Sequence, residues 1–324
     1  MGILSKKVLN CGINIQNTGA APCFFHPKNI EGVILIPKGK TFTDAEIQDF
    51  KTTLQDLCKA DNIADRIFPI KRFEGLEDKS TDTKYEDTPY GGKRKASDGR
   101  YAWYFTITDG GMAMFKALKS FDQKQGSFDP LFIDRVNNVI WGATNADDLY
   151  GGFDLELIDV PNFKINDGSK STTYQIGFCM EDTTQVNLNN AVVKFPDDVN
   201  ILKELNGLKN LEVSIHTAMT SGGLIKLKLT TGDGAVDLYE ILSTELATSS
   251  LYTATNKATG AAITVTSVTA AAATKTFNVQ LNAADSDYPA PAGAMIDFAI
   301  GEVSDLETAD VVGYGNTSFS AARG

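Results

Sequence analysis

The chain contains few of the residues on which most enzyme and metal sites depend. Its 324 residues include two histidines, four cysteines and two tryptophans. The cysteines are 12, 35 and 121 residues apart, which fits no zinc-ribbon or CxxC pattern. Cys23 lies three residues before His26, and Cys11 and Cys58 could complete a tetrahedral site, but zinc ligands usually come as tight pairs. We therefore expect thiols in a reducing compartment, with no metal and no cofactor.

The common catalytic and phosphate-binding motifs are also missing. Gly91-Gly92-Lys93 resembles part of a phosphate loop, but Asp87 and Arg94 occupy positions where a Walker A motif needs Gly and then Ser or Thr. No GxSxG nucleophile elbow accompanies either histidine. Asp285-Ser286-Asp287 could touch calcium, but it lacks the glutamate of an EF-hand loop and is more simply a turn. We expect a protein that is not an enzyme; a carboxylate-pair enzyme is the alternative that leaves no such motif.

Long apolar runs and a basic surface are missing as well. The longest apolar run, residues 33–36, ends at Pro37, far short of the ~20 residues of a membrane helix. No signal peptide is apparent in the first residues. With 41 acidic and 30 basic residues, the net charge is −11, which argues against a general nucleic-acid binder. Because 42% of the residues are apolar, we expect a folded chain, and its length suggests two domains of about 150 residues each.

Residues 1–212 carry the signals of a β-rich domain with a few short helices. Thr43 and Glu46 have capping-box spacing and begin a helix whose apolar face extends to Cys58. Asn137-Asn138 separates two apolar runs and predicts a hairpin turn. Residues 153–160 and 172–180 predict a long antiparallel hairpin. Further predicted elements are strands at 32–36, 67–73 and 101–108, a helix at 112–121, and a helix that begins at Asp197 and Asp198 and runs to Leu208.

Residues 74–100, which we call the arm, are the least globular part of the sequence. Residues 74–88 hold six acids and two bases, whereas residues 93–100 hold four bases and one acid. A structureless loop of this length is unusual inside a compact domain and is often functional or disordered. The arm is therefore either a flexible surface loop or a segment that becomes ordered on a neighbouring subunit, its charges meeting complementary patches. The candidate interface residues are Glu77, Asp78, Asp82, Glu86, Asp87, Lys93, Arg94, Lys95 and Arg100.

The composition changes near residue 211, after which Ala, Thr, Ser and Gly dominate. Short strands are predicted at 224–229, 250–255, 262–268, 276–281 and 294–300, with a short helix at 236–246. This regular spacing is typical of a small β-sandwich. Residues 215–324 carry 11 acids and 5 bases, over half of the net charge of the chain. We expect residues 213–324 to form an appended domain that faces solvent.

This layout resembles virion structural proteins of tailed bacteriophages, and most of all their major tail tube proteins. The resemblance is carried by residues 99–105 (GRYAWYF) ahead of the helix at 112–121, by the hairpin at 153–180, and by 258–267, 287–289 and 311–314. It implies a mainly β (α+β) fold: a sandwich or barrel module with two or three short helices, followed by an immunoglobulin-like β-sandwich.

The resemblance also implies how such a protein assembles. It implies a homo-oligomer of hexameric rings, stacked into a tube with other virion proteins, in which a β-barrel lines the lumen and the arm bridges subunits. The protein would be found in the virion after assembly in the host cytoplasm, with no membrane involved. DNA would be cargo that the acidic wall repels. A capsid decoration or head–tail connector protein, or a carbohydrate-binding adhesin-like module, are the alternatives.

Overall fold

A computed structural model describes residues 8–10, 25–108, 110–122, 126–165, 172–231, 234 and 236–324. The chain divides into two compact units, Met1–Cys58 with Asn62–Asn206, and Lys59–Asp61 with Gly207–Gly324. The main segment of the second unit begins ahead of the predicted boundary at 212/213, so that the strand Glu212–Thr217 lies wholly within it.

The first unit is built from antiparallel sheets with short helices. Its strands are β1 (Val8–Asn10), β2 (Ile30–Pro37), β3 (Thr41–Phe42), β4 (Phe68–Lys71), β5 (Gly75–Asp78), β6 (Lys84–Asp87), β7 (Lys93–Ser97), β8 (Ala102–Ile107), β9 (Phe128–Asp134), β10 (Val139–Thr144), β11 (Tyr150–Gly151), β12 (Leu155–Asp159), β13 (Tyr174–Met180) and β14 (Asn190–Lys194). Its helices are α1 (Asp44–Gln48), α2 (Phe50–Cys58), α3 (Gly111–Lys119), α4 (Thr183–Asn187) and α5 (Ile201–Glu204), with a 3₁₀ turn at Pro27–Asn29. The large sheet has the order β1-β14-β10-β9-β2-β4, with β11 beside β10 and β3 beside β11. A second sheet has the order β12-β13-β8-β5, and β6 pairs with β7.

The large sheet is covered on both faces. On one face Val33, Phe132 and Trp141 pack in a single apolar cluster with Trp103 and Phe178 of the four-stranded sheet. On the other face, alternate residues of the same strands pack against α2 and α5. Burial on both faces explains why β2, β9 and β10 are apolar at nearly every position instead of alternating.

Several local predictions for this unit are confirmed. Thr43 and Glu46 form a reciprocal capping box, in which the Thr43 N–H donates to Glu46 Oε2 at 2.6 Å. Asn138, with φ of 54°, turns the chain between β9 and β10. The hairpin predicted across 153–180 is the antiparallel pair β12–β13.

Other local predictions are wrong in extent. The single helix predicted from Thr43 to Cys58 is interrupted at Asp49, whose backbone leaves the helical region (φ −118°, ψ 51°), so that two helices form. The helix predicted from Asp197 to Leu208 spans only α5, because Asn200 caps it and Leu205 is already extended. Strand β14 and helix α4 were not predicted, since neither has enough periodic residues to stand out.

The second unit is a β-sandwich. Its strands are β15 (Glu212–Thr217), β16 (Leu224–Thr231), β17 (Val236–Asp237), β18 (Tyr252–Asn256), β19 (Ala262–Ile263), β20 (Val265–Ala271), β21 (Thr276–Leu281), β22 (Met295–Ile300) and β23 (Thr317–Ala322). Its helices are α6 (Tyr239–Leu242) and α7 (Val303–Thr308), with 3₁₀ turns at Glu245–Ala247 and Ser249–Leu251. One sheet has the order β15-β16-β21-β20, with β17 beside β16, and the other has the order β19-β18-β22-β23. Both sheets contribute to one apolar core, and the two orders are those of strands A-B-E-D and C′-C-F-G of an immunoglobulin domain. The predicted mainly β fold class is confirmed.

Two predictions for the second unit need correction. The strand predicted at 262–268 is two strands in different sheets, β19 and β20. The chain changes sheet at Thr264, whose N–H and hydroxyl both donate to Asp285 Oδ2, at 3.1 and 3.0 Å. The helix predicted at 236–246 is only the four-residue α6, and the turn Glu245–Ala247 follows it. Strand β23 and helix α7 were not predicted.

Candidate assembly surface

The arm is a β-hairpin, so the alternative of a structureless surface loop is wrong, whereas its docking on a neighbouring subunit stays a prediction. Its base is β5, which pairs with β8. The ladder continues outward, because the Lys79 and Thr81 N–H groups donate to the carbonyls of Ala102 and Arg100 at 2.8 and 2.9 Å. Beyond it β6 pairs with β7. At about 3.3 Å per residue, the arm extends about 35 Å from Lys79 to its tip.

Two glycines permit the close strand approach and the tight turn of the arm. A Cβ at Gly99 would lie 1.6 Å from the Thr81 carbonyl oxygen, so only glycine permits the strands to approach there. At the tip, the Thr88 N–H donates to the Gly92 carbonyl at 2.7 Å and the Gly91 N–H donates to the Thr88 carbonyl at 3.0 Å. Gly91 has φ of 78°, the left-handed conformation of a three-residue hairpin loop.

The predicted interface residues all lie on the arm or at its base. Glu77 and Asp78 lie on β5, Asp82 follows it, Glu86 and Asp87 lie on β6, Lys93, Arg94 and Lys95 lie on β7, and Arg100 precedes β8. All residues of β5, β6 and β7 are exposed.

Some of the charged residues of the arm form ion pairs within the same subunit. Glu86 is opposite Arg94, and the two form an ion pair at 3.0 Å. Lys95 forms an ion pair with Asp98, and Arg100 pairs with Glu156 of β12. These exposed pairs are each worth at most about 1 kcal/mol, so the hairpin is weakly stabilised by its own contacts.

Sequence reasoning missed the exposed apolar residues of the arm. Tyr90 at the tip is 100% exposed, Tyr85 is 63% exposed, and Leu76 on β5 is 38% exposed. The signal that could have revealed the hairpin is the Pro89-Tyr90-Gly91-Gly92 turn between an acidic and a basic segment. Exposed tyrosines on an ordered element are typical of interface anchors.

The outer face of the four-stranded sheet is polar and carries a built contact around Tyr104. The Tyr104 hydroxyl donates to Asp159 Oδ2 at 2.7 Å, and Lys79 Nζ lies 4.0 Å from the centre of its ring. A Cβ at Gly177 would lie 2.5 Å from a Tyr104 ring carbon, so glycine provides the space for this ring. Burial and the hydrogen bond to Asp159 raise the Tyr104 pKa, and burial also raises the pKa of the nearby Cys179 thiol. Both groups are therefore held neutral, and the contact is suited to positioning side chains.

Both edges of this sheet are open among the described residues. Strand β5 ends the sheet on one side and β12 ends it on the other. Exposed strand edges present unpaired backbone N–H and C=O groups, which favour pairing with another chain.

Of the four zinc candidates, the structure describes His26 and Cys58, and these two lie in different surroundings. His26 is exposed, whereas Cys58, the last residue of α2, is buried in the core with residues of α5. Cys11 and Cys23 lie outside the described residues. Within the described part of the chain, no group of three or more His, Cys, Asp or Glu side chains could hold a metal ion.

The comparisons with known proteins identify no relative. No protein-family model, no curated protein and no solved structure matches the chain. Among the described residues, no helix has both the length and the apolar character needed to span a membrane.

Proposed function

We propose that this chain is a self-assembling structural subunit that associates side by side into rings through its four-stranded sheet and its arm. The proposed setting is the tail tube of a bacteriophage virion, built from stacked hexameric rings. The observation that carries the proposal is an ordered, exposed arm on a sheet with two open edges.

The arm supports a role in association because contacts within a single subunit stabilise it only weakly. An isolated two-stranded hairpin is marginally stable in water. The distal hairpin, residues 84–97, has no buried residue, and it displays Tyr85 and Tyr90 to solvent. A neighbouring subunit would bury these side chains and stabilise the hairpin.

The four-stranded sheet supports a role as a channel wall. Its inner face is fixed to the large sheet by the aromatic cluster around Trp103 and Phe132, whose ring centroids are 5.6 Å apart. Its outer face is polar and of mixed charge, with Glu77 and Asp159 near Lys79. A wall of this kind, on a chain of net charge −11, would offer DNA no basic surface on which to bind.

Ring formation can be tested on the full chain by light scattering after size exclusion, together with negative-stain microscopy. We expect rings or tubes, and a chain that stays monomeric at the highest attainable concentration contradicts the proposal. The matched variant replaces residues 82–98 with Asn-Gly, since Thr81 and Gly99 are already adjacent. We expect it to fold but to assemble at least about tenfold less readily, a difference of about 1.4 kcal/mol.

A further inference from the structure

The arm carries net charges of opposite sign in its two halves. Residues 84–97, the distal hairpin, carry four bases and two acids, a net charge of +2 on a chain of net charge −11. Residues 74–82, the arm base, carry four acids and one lysine, a net charge of −3. Opposite patches on one chain are complementary between two copies of it.

Contacts within one subunit leave part of this charge unmatched. In the distal hairpin Arg94 and Lys95 form ion pairs with Glu86 and Asp98. Lys84 and Lys93 form no ion pair with any described residue, and the same holds for Glu74 and Asp82 of the arm base. These four side chains remain available for a partner.

The arm base is also an open strand edge. Lys79 donates its N–H to Ala102 of β8, and Thr81 donates to Arg100 just before β8, so the alternation of an antiparallel ladder directs the N–H groups of Leu76 and Asp78 away from β8. Strand β5 is the last strand of its sheet. An exposed edge of this kind is a template for the addition of a strand.

The strand best suited to this edge is β7. Its outer edge is open because it pairs only with β6 among the described residues, and it carries Lys93, Arg94 and Lys95. Tyr85 lies opposite Lys95 and adds an exposed aromatic ring to the same hairpin. A basic strand and an acidic edge attract each other, whereas two acidic edges would repel.

We propose that β7 of one copy adds to the β5 edge of the next copy, with the basic distal hairpin against the acidic arm base. This inference rests on the proposed self-assembly and specifies its contact. The contact joins different surfaces on the two copies, so it repeats from subunit to subunit and can close into a ring.

Charge reversal on each side provides the test. The arm-reversed variant carries Lys84→Glu and Lys93→Glu, and the edge-reversed variant carries Glu74→Lys and Asp82→Lys. Each alone should raise the concentration needed for assembly at least about tenfold, because like charges then face each other. Mixed in equal amounts, the two should co-assemble, since each supplies the partner that the other needs. Lys164→Glu with Lys203→Glu makes the same charge change as the arm-reversed variant, at exposed residues outside the arm, and should assemble as the wild type does.

Hydrogen exchange supplies a second readout. The N–H groups of Leu76 and Asp78 should exchange more slowly in the assembled wild type than in the arm-reversed variant. Suppose that the wild type and both reversed variants assemble normally, and that these two N–H groups stay unprotected. This contact is then wrong, and the proposed self-assembly stands. The alternative partner of the basic hairpin is a nucleic acid. If the arm-reversed variant assembles normally but is no longer retained on single-stranded DNA as the wild type is, the contact is wrong as well. A wild type that never assembles overturns both proposals.

Discussion

Asp129 offers a quantitative test of the structure of the first unit. This carboxylate on β9 is 2% exposed, and burial raises its pKa to about 6 from the usual 3.8. The Gly39 N–H donates to its Oδ2 at 2.7 Å and opposes the shift, whereas the negative charge of Asp154 adds to it. Its other oxygen has no partner within hydrogen-bond distance among the described residues, although the nearby Leu155 N–H and the charge of Lys38 also oppose the shift. Above about pH 6 the folded protein therefore carries the negative charge of Asp129 at a site where water solvates it poorly.

The sign of the effect follows from proton binding. Between pH 4 and 6 the folded state holds a proton on Asp129 that the unfolded state has lost, so this group makes the free energy of unfolding fall as the pH rises. A shift from 3.8 to about 6, at 1.36 kcal/mol per pH unit, corresponds to about 3 kcal/mol. That stabilisation is fully present below pH 4 and lost above about pH 6.

Asp129→Asn removes the titration and keeps the shape of the side chain. The amide adds a pH-independent effect, so the useful quantity is the difference in unfolding free energy between variant and wild type, measured at several pH values. We expect this difference to shift in favour of the variant by about 3 kcal/mol between pH 4 and pH 7. Urea unfolding followed by tryptophan fluorescence suits the measurement, because Trp103 and Trp141 both lie in the core of the first unit.

The exposed Asp147→Asn serves as a control for the general effect of losing a carboxylate. If Asp129→Asn shows the same pH dependence as the wild type from pH 4 to pH 7, Asp129 is not the buried, unfavourably charged group described above. A shift of opposite sign would mean that its charged form is stabilised by the fold.

Three further substitutions test other parts of the structure. Thr43→Ala should lower the unfolding free energy by about 1 kcal/mol in the same fluorescence assay, because it removes a helix cap; no loss would refute the capping box. Gly177→Ala should lower it by about 1–3 kcal/mol, because the new Cβ displaces the Tyr104 ring, and an unchanged midpoint would refute that contact. Gly99→Ala should reduce assembly while leaving the tryptophan transition in place, because it opens the arm beside Thr81; unaltered light scattering would contradict this.

Sequence reasoning succeeded where a local signal determines the local structure. The Thr43 capping box and the Asn137-Asn138 turn depend on neighbouring residues, and both are present. The division of 262–268 between two sheets depends on Asp285, which is 21 residues from Thr264 and lies outside any sequence window. The predicted helix to Leu208 failed for a similar reason, since tertiary packing of Leu205 took precedence over helical spacing.

Composition marked the arm as the candidate surface, but the strands that form it could not be placed from the sequence. The segregated charge from Glu77 to Arg100 identified the arm, but strands β6 and β7 have no apolar alternation, which is the usual signal for strands. Their pairing rests on a turn and on cross-strand contacts such as Glu86–Arg94. The open edge of β5 is a property of sheet order, which no stretch of sequence contains.

The conformation of the arm has a kinetic consequence. A segment that must fold on its partner loses conformational entropy at that moment, and this cost reduces the free energy of association. Whenever the arm is folded as a hairpin, it presents charges up to about 35 Å ahead of the sheet, where they can capture a passing subunit before the larger surfaces meet. Association of this kind is steered by charge, so its rate should fall steeply with added salt even where the final assembly is barely weakened.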